Sequence, residues 1–112
     1  MAPPTTSRAG DPADRPLSAD EIAAAMSDLT GWSGDLAALS RSYRFPTFLD
    51  AMAFLADGAH AADRLGHHPD WRNVYDRVDI RLSTHDAGDR VTAKDVELAR
   101  LLDGHARRHG GR

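Results

Sequence analysis

A long helical pattern occupies the middle of the chain, between two segments that have the pattern of strands. After Pro46, apolar residues recur at spacings of four and three, which places them on one face of a helix. This predicted apolar stripe comprises Phe48, Met52, Leu55, Ala59 and Ala62. The predicted helix covers residues 48–65, and Gly66 follows as a natural terminator, because glycine adopts the left-handed conformation common after helices. A helix between strands restricts the chain to folds that combine both elements.

The segments around this helix alternate in side-chain character, as half-buried strands do. Over residues 39–45 one parity is mostly apolar, and the other holds only serine and arginine. Residues 70–75 and 77–85 form two further predicted strands, with their turn at Asp76-Arg77. Together with a short extended segment that starts at Trp32, these strands predict an antiparallel sheet.

Two shorter helices complete the predicted order, and each begins with a capping-box pattern. In Ser18-Ala19-Asp20-Glu21, the serine hydroxyl can accept from the glutamate amide, and the glutamate side chain can reach back. Thr92-Ala93-Lys94-Asp95 repeats this pattern with aspartate as its acidic member. The first of these helices is predicted to end at Thr30-Gly31 and the second near Gly104. Helices on one side of an antiparallel sheet make an α+β fold.

Length and composition predict one domain without disulfides. The chain has 112 residues, and it has no cysteine, which excludes disulfides, thiolate metal sites and cysteine nucleophiles. Residues 1–16 are rich in proline, alanine and polar side chains and are predicted to be a disordered N-terminal extension. The folded domain is expected over residues 17–105, and residues 106–112 are expected to be a flexible basic tail.

Charge and hydropathy argue against two classes of partner. The net charge is −3 and no dense basic block is present, so nucleic acid is not expected as a ligand. No apolar run approaches the roughly 20 residues that a membrane helix needs, so no membrane partner is expected. The first ten residues lack the apolar segment of a secretory signal, and a cytoplasmic location is therefore expected.

Three of the six histidines lie close together in the sequence and form a candidate acid–base site. They are His67, His68 and His85. Histidine titrates near pH 6.5, so these side chains can both donate and accept protons at cellular pH. Pro69 biases the preceding residue away from helical geometry, which places the adjacent pair on a loop.

Two carboxylates could orient these imidazoles, and simpler interpretations remain for every member of the group. Asp63 lies one helical turn before the pair, and Asp95 lies in the first turn of the last helix. Alternatively, the histidines are solvated loop residues, Asp95 is only a helix cap, and Trp71 and Tyr75 are only core residues of a strand. A zinc site is a further alternative, but adjacent histidines rarely share an ion, and no His-Glu-x-x-His spacing is present.

A longer motif around the histidines resembles the signature of the pterin-4a-carbinolamine dehydratases. It reads His67-His68-Pro69-x-Trp71-x-Asn73-Val74-Tyr75, then Leu82-Ser83-Thr84-His85, and continues through Asp95-x-x-Leu98-Ala99. The similarity extends over residues 17–102, which is nearly all of the expected domain. The motif is long and its internal spacing is fixed, so the resemblance is specific.

The resemblance implies a fold, a reaction and partners. It implies a four-stranded antiparallel sheet with three helices packed on one face. It implies dehydration of 4a-hydroxytetrahydropterin to quinonoid dihydropterin, which recycles the cofactor of aromatic amino acid hydroxylases, without a metal or a bound cofactor. It also implies a homo-oligomer, either a dimer or a tetramer. The alternative function is a dehydratase-like binding or regulatory partner with weak or no turnover.

The resemblance also assigns the site residue by residue. The catalytic histidines correspond to His67, His68 and His85, and the substrate-binding positions correspond to Asp63, Trp71, Ser83, Thr84 and Asp95. Asp63 stands where glutamate is frequent in the family, and Gly66 stands where some members have aspartate. In the implied mechanism one histidine protonates the departing 4a-hydroxyl and another removes a ring-nitrogen proton. The sequence leaves open which histidine is the acid and which is the base.

Overall fold

Four antiparallel strands form one sheet, and three helices pack on one of its faces. A computed structural model describes residues 12–112. The strands are β1 (Ser33–Gly34), β2 (Leu39–Arg44), β3 (Asp70–Val74) and β4 (Arg77–Leu82), in the spatial order β1-β2-β4-β3. The helices are α1 (Ala19–Met26), α2 (Phe48–Leu65) and α3 (Ala93–Arg108). The predicted α+β class is therefore confirmed. Within residues 12–112, no helix is both long enough and apolar enough to cross a bilayer.

The buried face of the sheet follows the predicted alternation. Leu39 pairs with Leu82 and Tyr43 pairs with Val78 across β2 and β4, and all four side chains are buried. The residues between them on β2, such as Ser40, are exposed on the opposite face. Because side chains alternate along a strand, the pattern of period two was enough to identify the face that meets the helices.

Both predicted capping boxes are present. At the start of α1, the Ser18 hydroxyl accepts from the amide of Glu21 at 3.2 Å, and the Glu21 carboxylate accepts from the amide of Ser18 at 3.0 Å. Hydrogen bonds from Arg15 also reach this carboxylate and are the main reason that the pKa of Glu21 falls to about 2. The helix itself ends at Met26, earlier than the predicted end at Thr30-Gly31.

The bounds of α2 agree with the prediction, but its buried face differs. The buried residues are Ala51, Phe54, Gly58, Ala61 and Ala62. Phe48 is 42% exposed and Ala59 is exposed, so the predicted stripe was wrong at these positions. The helix packs through small residues, because a Cβ on Gly58 would lie 2.9 Å from Leu102 and 3.1 Å from the Trp71 ring. Close approach to α3 thus selected a face that hydrophobic spacing did not indicate.

The hairpin turn lies one residue earlier than predicted. Val74 pairs with Arg77, so the two turn residues are Tyr75 and Asp76. The Asn73 side chain donates hydrogen bonds to the carbonyls of Tyr75 and Arg77, at 3.1 Å and 2.9 Å. These bonds stabilise Tyr75 at φ 53°, a left-handed conformation that the sequence did not signal.

Both chain ends differ from the predicted domain limits. Residues 1–11 of the predicted extension lie outside the described residues, and Pro12–Asp14 form a 3₁₀ turn that contacts α3. At the other end, α3 continues past Gly104 to Arg108, because Ala106 is buried in the core and gives the last turn an apolar contact. The backbone of Arg112 then exchanges two hydrogen bonds with Arg44, at 2.8 Å and 2.9 Å.

Two histidines that lie outside any motif meet one carboxylate between α2 and α3. Asp57 Oδ2 lies 2.7 Å from His109 Nε2 and 3.9 Å from His105 Nδ1. Both imidazoles are mostly buried. The hydrogen bond from His109 is the main cause that lowers the pKa of Asp57 below its ordinary value. This contact connects the last turn of α3 to the middle of α2.

We predict that His109→Ala weakens the fold in a pH-dependent way. Because the pKa of Asp57 is lowered by folding, the pair stabilises the protein above the ordinary carboxyl pKa of about 4 and loses that effect as the pH falls through the lowered value. Urea midpoints should therefore differ between wild type and variant at about pH 5 and converge as the pH falls well below the ordinary carboxyl pKa of about 4. Arg107→Ala, an exposed change in the same turn, is the control. A pH-independent difference would contradict this account.

Candidate active site

His67 is buried where α2 ends, and its ring faces the start of α3. Gly66 caps α2 in a left-handed conformation at φ 63°, and the next amide, that of His67, still bonds to the carbonyl of Ala62 at 3.0 Å. This turn directs the histidine inward, so that its side chain is only 9% exposed. Its Nε2 atom lies 2.6 Å from Asp95 Oδ1, a short distance typical of a charge-assisted hydrogen bond.

Asp95 is fully buried and accepts several hydrogen bonds. Its second oxygen accepts from the Thr84 hydroxyl at 2.8 Å and from the Thr92 amide at 2.9 Å. The Thr92 bond is half of the capping box of α3, so one side chain both caps a helix and binds a histidine. A carboxylate only accepts, and Nε2 of His67 must therefore carry a proton. The remaining nitrogen of the ring, Nδ1, is left as the one that can accept a proton.

The strand before Thr84, β4, ends earlier than predicted. β4 stops at Leu82, and Thr84 instead forms an isolated bridge with Arg90. The Thr84 side chain is buried, and its hydroxyl lies 2.7 Å from the Thr92 hydroxyl as well as contacting Asp95. The Ser83 hydroxyl donates to the carbonyl of Ala37 at 2.8 Å. The hydroxyls of Ser83 and Thr84, two of the predicted substrate-binding residues, thus form hydrogen bonds within the protein.

His85 lies at the surface, on a 3₁₀ turn and not on a strand. The turn comprises His85–Ala87, and Gly88 ends it at φ 75°. The imidazole is 92% exposed, and its Nδ1 lies 3.2 Å from Asp89 Oδ1. Because His85 directly follows Thr84, its backbone lies next to the hydrogen-bond network around Asp95. His67 and His85 therefore differ sharply in exposure, one in the interior and one at the surface.

His68 opens onto a cavity of about 460 Å³ beside α2. Asp63, Pro69 and Trp71 are among the residues that line it. The Nε2 atom of His68 is 3.4 Å from Asp63 Oδ1, which is long for a hydrogen bond, and both side chains are well exposed. Trp71 is half-buried, with its ring centroid 6.5 Å from that of Phe54. This cavity gives a flat ligand an aromatic wall next to an imidazole.

The structure thus places six of the eight predicted site residues in two groups, and His85 and Ser83 belong to neither. His67, Thr84 and Asp95 meet in the interior, whereas Asp63, His68 and Trp71 surround the cavity. The sequence did not predict that Thr92 belongs to this group. Its capping position predicted the hydrogen bond from its amide to Asp95, but not the contact of its hydroxyl with Thr84. Over residues 12–112, no group of three or more histidine, aspartate or glutamate side chains is arranged to hold a metal ion.

Comparisons with known proteins agree with the motif. The family model described as "Pterin 4 alpha carbinolamine dehydratase" matches residues 15–105. A protein of Opitutus terrae is 52% identical over 78% of this chain and 90% of its own length, and one of Mesorhizobium japonicum is 48% identical over the same shares. Both are provisionally named pterin-4-alpha-carbinolamine dehydratases. A crystal structure from Brucella melitensis, called a transcriptional coactivator/pterin dehydratase, has a TM-score of 0.76 and 38% identity, covering 80% of this chain and 97% of that one.

We predict that Thr84→Val destabilises the fold because Asp95 loses a donor in the interior. Removing one partner of a buried, charged acceptor costs about 1–3 kcal/mol, and valine keeps the shape of threonine. Ser83→Ala removes the neighbouring hydroxyl from an exposed hydrogen bond and should change the stability by less than about 0.5 kcal/mol. Urea unfolding of the two variants measures the difference. Equal losses would mean that the hydroxyl of Thr84 has no special part in holding Asp95.

Proposed function

This chain belongs to the pterin-4a-carbinolamine dehydratase family, and we propose that it dehydrates 4a-hydroxytetrahydropterins to quinonoid dihydropterins by histidine acid–base catalysis. The observation that carries the proposal is the buried His67–Asp95 pair, at 2.6 Å. A carboxylate bound to one imidazole nitrogen fixes the ring orientation and leaves the other nitrogen for proton transfer.

The reaction requires two proton transfers on neighbouring atoms of the pterin. The hydroxyl on C4a leaves as water once its oxygen is protonated, and the C4a–O bond breaks. The proton on the adjacent ring nitrogen is removed, and its electron pair forms the new double bond to C4a. A base and an acid on the two sides of this centre can each contribute about 10²–10⁴-fold to the rate.

We assign the base to His67 and the acid to His85. The Nδ1 atom of His67 accepts the ring-nitrogen proton, and the Asp95 carboxylate then stabilises the positive charge on the imidazole. His85 is 92% exposed and can regain its proton from solvent after protonating the leaving hydroxyl. His68 and Asp63 contact the pterin from the cavity, with Trp71 as its flat wall. Thr84 acts through Asp95, and Ser83 keeps the adjoining backbone in place.

A second candidate function is a binding or regulatory partner with weak or no turnover. The name of the Brucella melitensis structure, which couples coactivator and dehydratase, favours this alternative. So does the loose contact of 3.4 Å between His68 and Asp63, since a shorter acid occupies this position. The two candidates differ in one measurable quantity, the acceleration of dehydration above the spontaneous rate.

We also propose that copies of this chain associate into a dimer or tetramer through the exposed face of α2. Phe48 is 42% exposed and the adjacent Leu49 is 75% exposed, and apolar side chains at such exposure fit a contact with another chain. Leu49→Glu should lower the mass measured by light scattering, whereas the exposed change Asp20→Lys on α1 should not. An unchanged mass for Leu49→Glu would exclude this face.

We predict that His67→Gln and His85→Ala each lower the dehydration rate by about 10²–10⁴-fold. Glutamine at position 67 keeps a donor for Asp95, so its fold should survive, and His85→Ala changes an exposed side chain. His109→Gln, a histidine that contacts Asp57 instead, should keep wild-type turnover. The rate is measured from the ultraviolet absorbance of chemically generated 4a-hydroxytetrahydropterin.

Each outcome of this experiment points to one of the two candidates. Fast wild-type turnover that is lost in the two site variants supports the dehydratase and its assigned residues. Turnover retained by either variant would remove that histidine from the mechanism. A folded wild-type protein that gives no acceleration would exclude the dehydratase and leave the binding partner as the function.

A further inference from the structure

We propose that Asp14 is a positioning residue for the His67–Asp95 pair and that it acts through Lys94. Asp14 closes the 3₁₀ turn Pro12–Asp14, and its Oδ1 atom lies 2.9 Å from Lys94 Nζ. The Asp14 side chain is 2% exposed and that of Lys94 is 13% exposed. The expected effect of Asp14 on catalysis rests on the proposed function, whereas the ion pair between Asp14 and Lys94 does not.

The ion pair compensates two unfavourable features of Lys94. Lys94 is the second residue of α3, where the helix dipole opposes a positive charge. Its ammonium is also largely buried, and a buried charge without a partner is strongly destabilising. The Asp14 carboxylate is buried too, and among the described residues neither of its oxygens has an aligned hydrogen bond. The Lys94 ammonium therefore compensates the buried charge of Asp14. Each charge therefore depends on the other.

The first turn of α3 transmits this contact to the candidate active site. Lys94 directly precedes Asp95, and its amide donates to the Thr92 hydroxyl at 3.3 Å. The Thr92 hydroxyl contacts that of Thr84, which in turn donates to Asp95. The bond from Asp95 to His67 is only 2.6 Å long, so a small shift of this turn changes it. Misplacement of a catalytic group by about 1 Å can cost about 10²-fold in rate.

This part of the protein lies outside the segment that the family model matches. The match begins at residue 15, one position after Asp14. The turn is held next to α3 because the amide of Leu17 donates to the carbonyl of Val91 at 2.9 Å. The pair of Arg15 with Glu21 is exposed and belongs to the start of α1, so it does not serve the same end. Asp14 therefore adds a contact to the start of α3 from outside the matched segment.

The test compares Asp14→Asn with Glu97→Gln in the full-length protein. Both changes remove one negative charge near the start of α3, but Glu97 is exposed and forms no ion pair with Lys94 among the described residues. The first readout is the proton NMR signal of the His67–Asp95 hydrogen bond, which we expect to be strongly deshielded because the bond is short, and which requires no turnover. The second is the separate measurement of kcat and KM for dehydration.

We expect Asp14→Asn to displace or broaden this NMR signal and to lower kcat about tenfold with little change in KM. Glu97→Gln should leave all three quantities at their wild-type values. An unchanged signal in folded Asp14→Asn, or an equal effect of Glu97→Gln, would overturn the proposal. Absence of dehydration by the wild type would exclude the proposed function, but the NMR signal would still test the contact.

A double variant keeps the proposal testable if Asp14→Asn does not fold. Asp14→Asn combined with Lys94→Met removes the ion pair without leaving a buried charge unpaired, and such replacements often preserve stability. A merely structural pair predicts a stable double variant with the wild-type NMR signal and kcat, which would overturn the positioning role. A stable double variant with a displaced signal would support it.

Discussion

The organisation of this protein depends on the hydrogen bonds that the buried carboxylate of Asp95 accepts. A fully buried anion is tolerated only when donors surround it, and this carboxylate has donors from three segments of the chain. Thr84 follows β4, Thr92 begins α3, and His67 follows α2. These segments must therefore converge on one point for the fold to be stable. The same three hydrogen bonds compensate the burial of Asp95 and orient His67 for the proposed catalysis.

This convergence explains why the three histidines of the motif have different environments. His67 is held in the interior with one nitrogen bound to Asp95, whereas His68 and His85 are well exposed. An imidazole fixed by a carboxylate suits a proton acceptor, and an exposed imidazole suits a group that exchanges its proton with solvent. The different environments are the reason for assigning different parts to side chains that look equivalent in the sequence.

Described residues near both ends of the chain form further contacts with α3 and β2. The turn before α1 contacts the first turn of α3 through Asp14 and Lys94, and the last residues pair with the end of β2 through Arg112 and Arg44. Predictions for these segments relied on composition, which indicates that they contain few apolar side chains to bury but not which residues of the fold they contact. One buried ion pair and one backbone pair were enough to place described residues at both ends against the fold.

The sequence by itself determined the class of the fold, the starts of most elements and the family. Periodicity identified β2 and the bounds of α2, and capping chemistry identified the starts of α1 and α3, because each signal depends on residues close together in the chain. Only the tertiary structure decided which face of α2 is buried, since this depends on how closely Gly58 approaches Leu102 and Trp71. It also decided that Asp95 binds His67, because this pairing depends on how α2 and α3 pack. Patterns among neighbouring residues predict local structure, whereas the contact between His67 and Asp95, 28 positions apart, depends on how the elements pack.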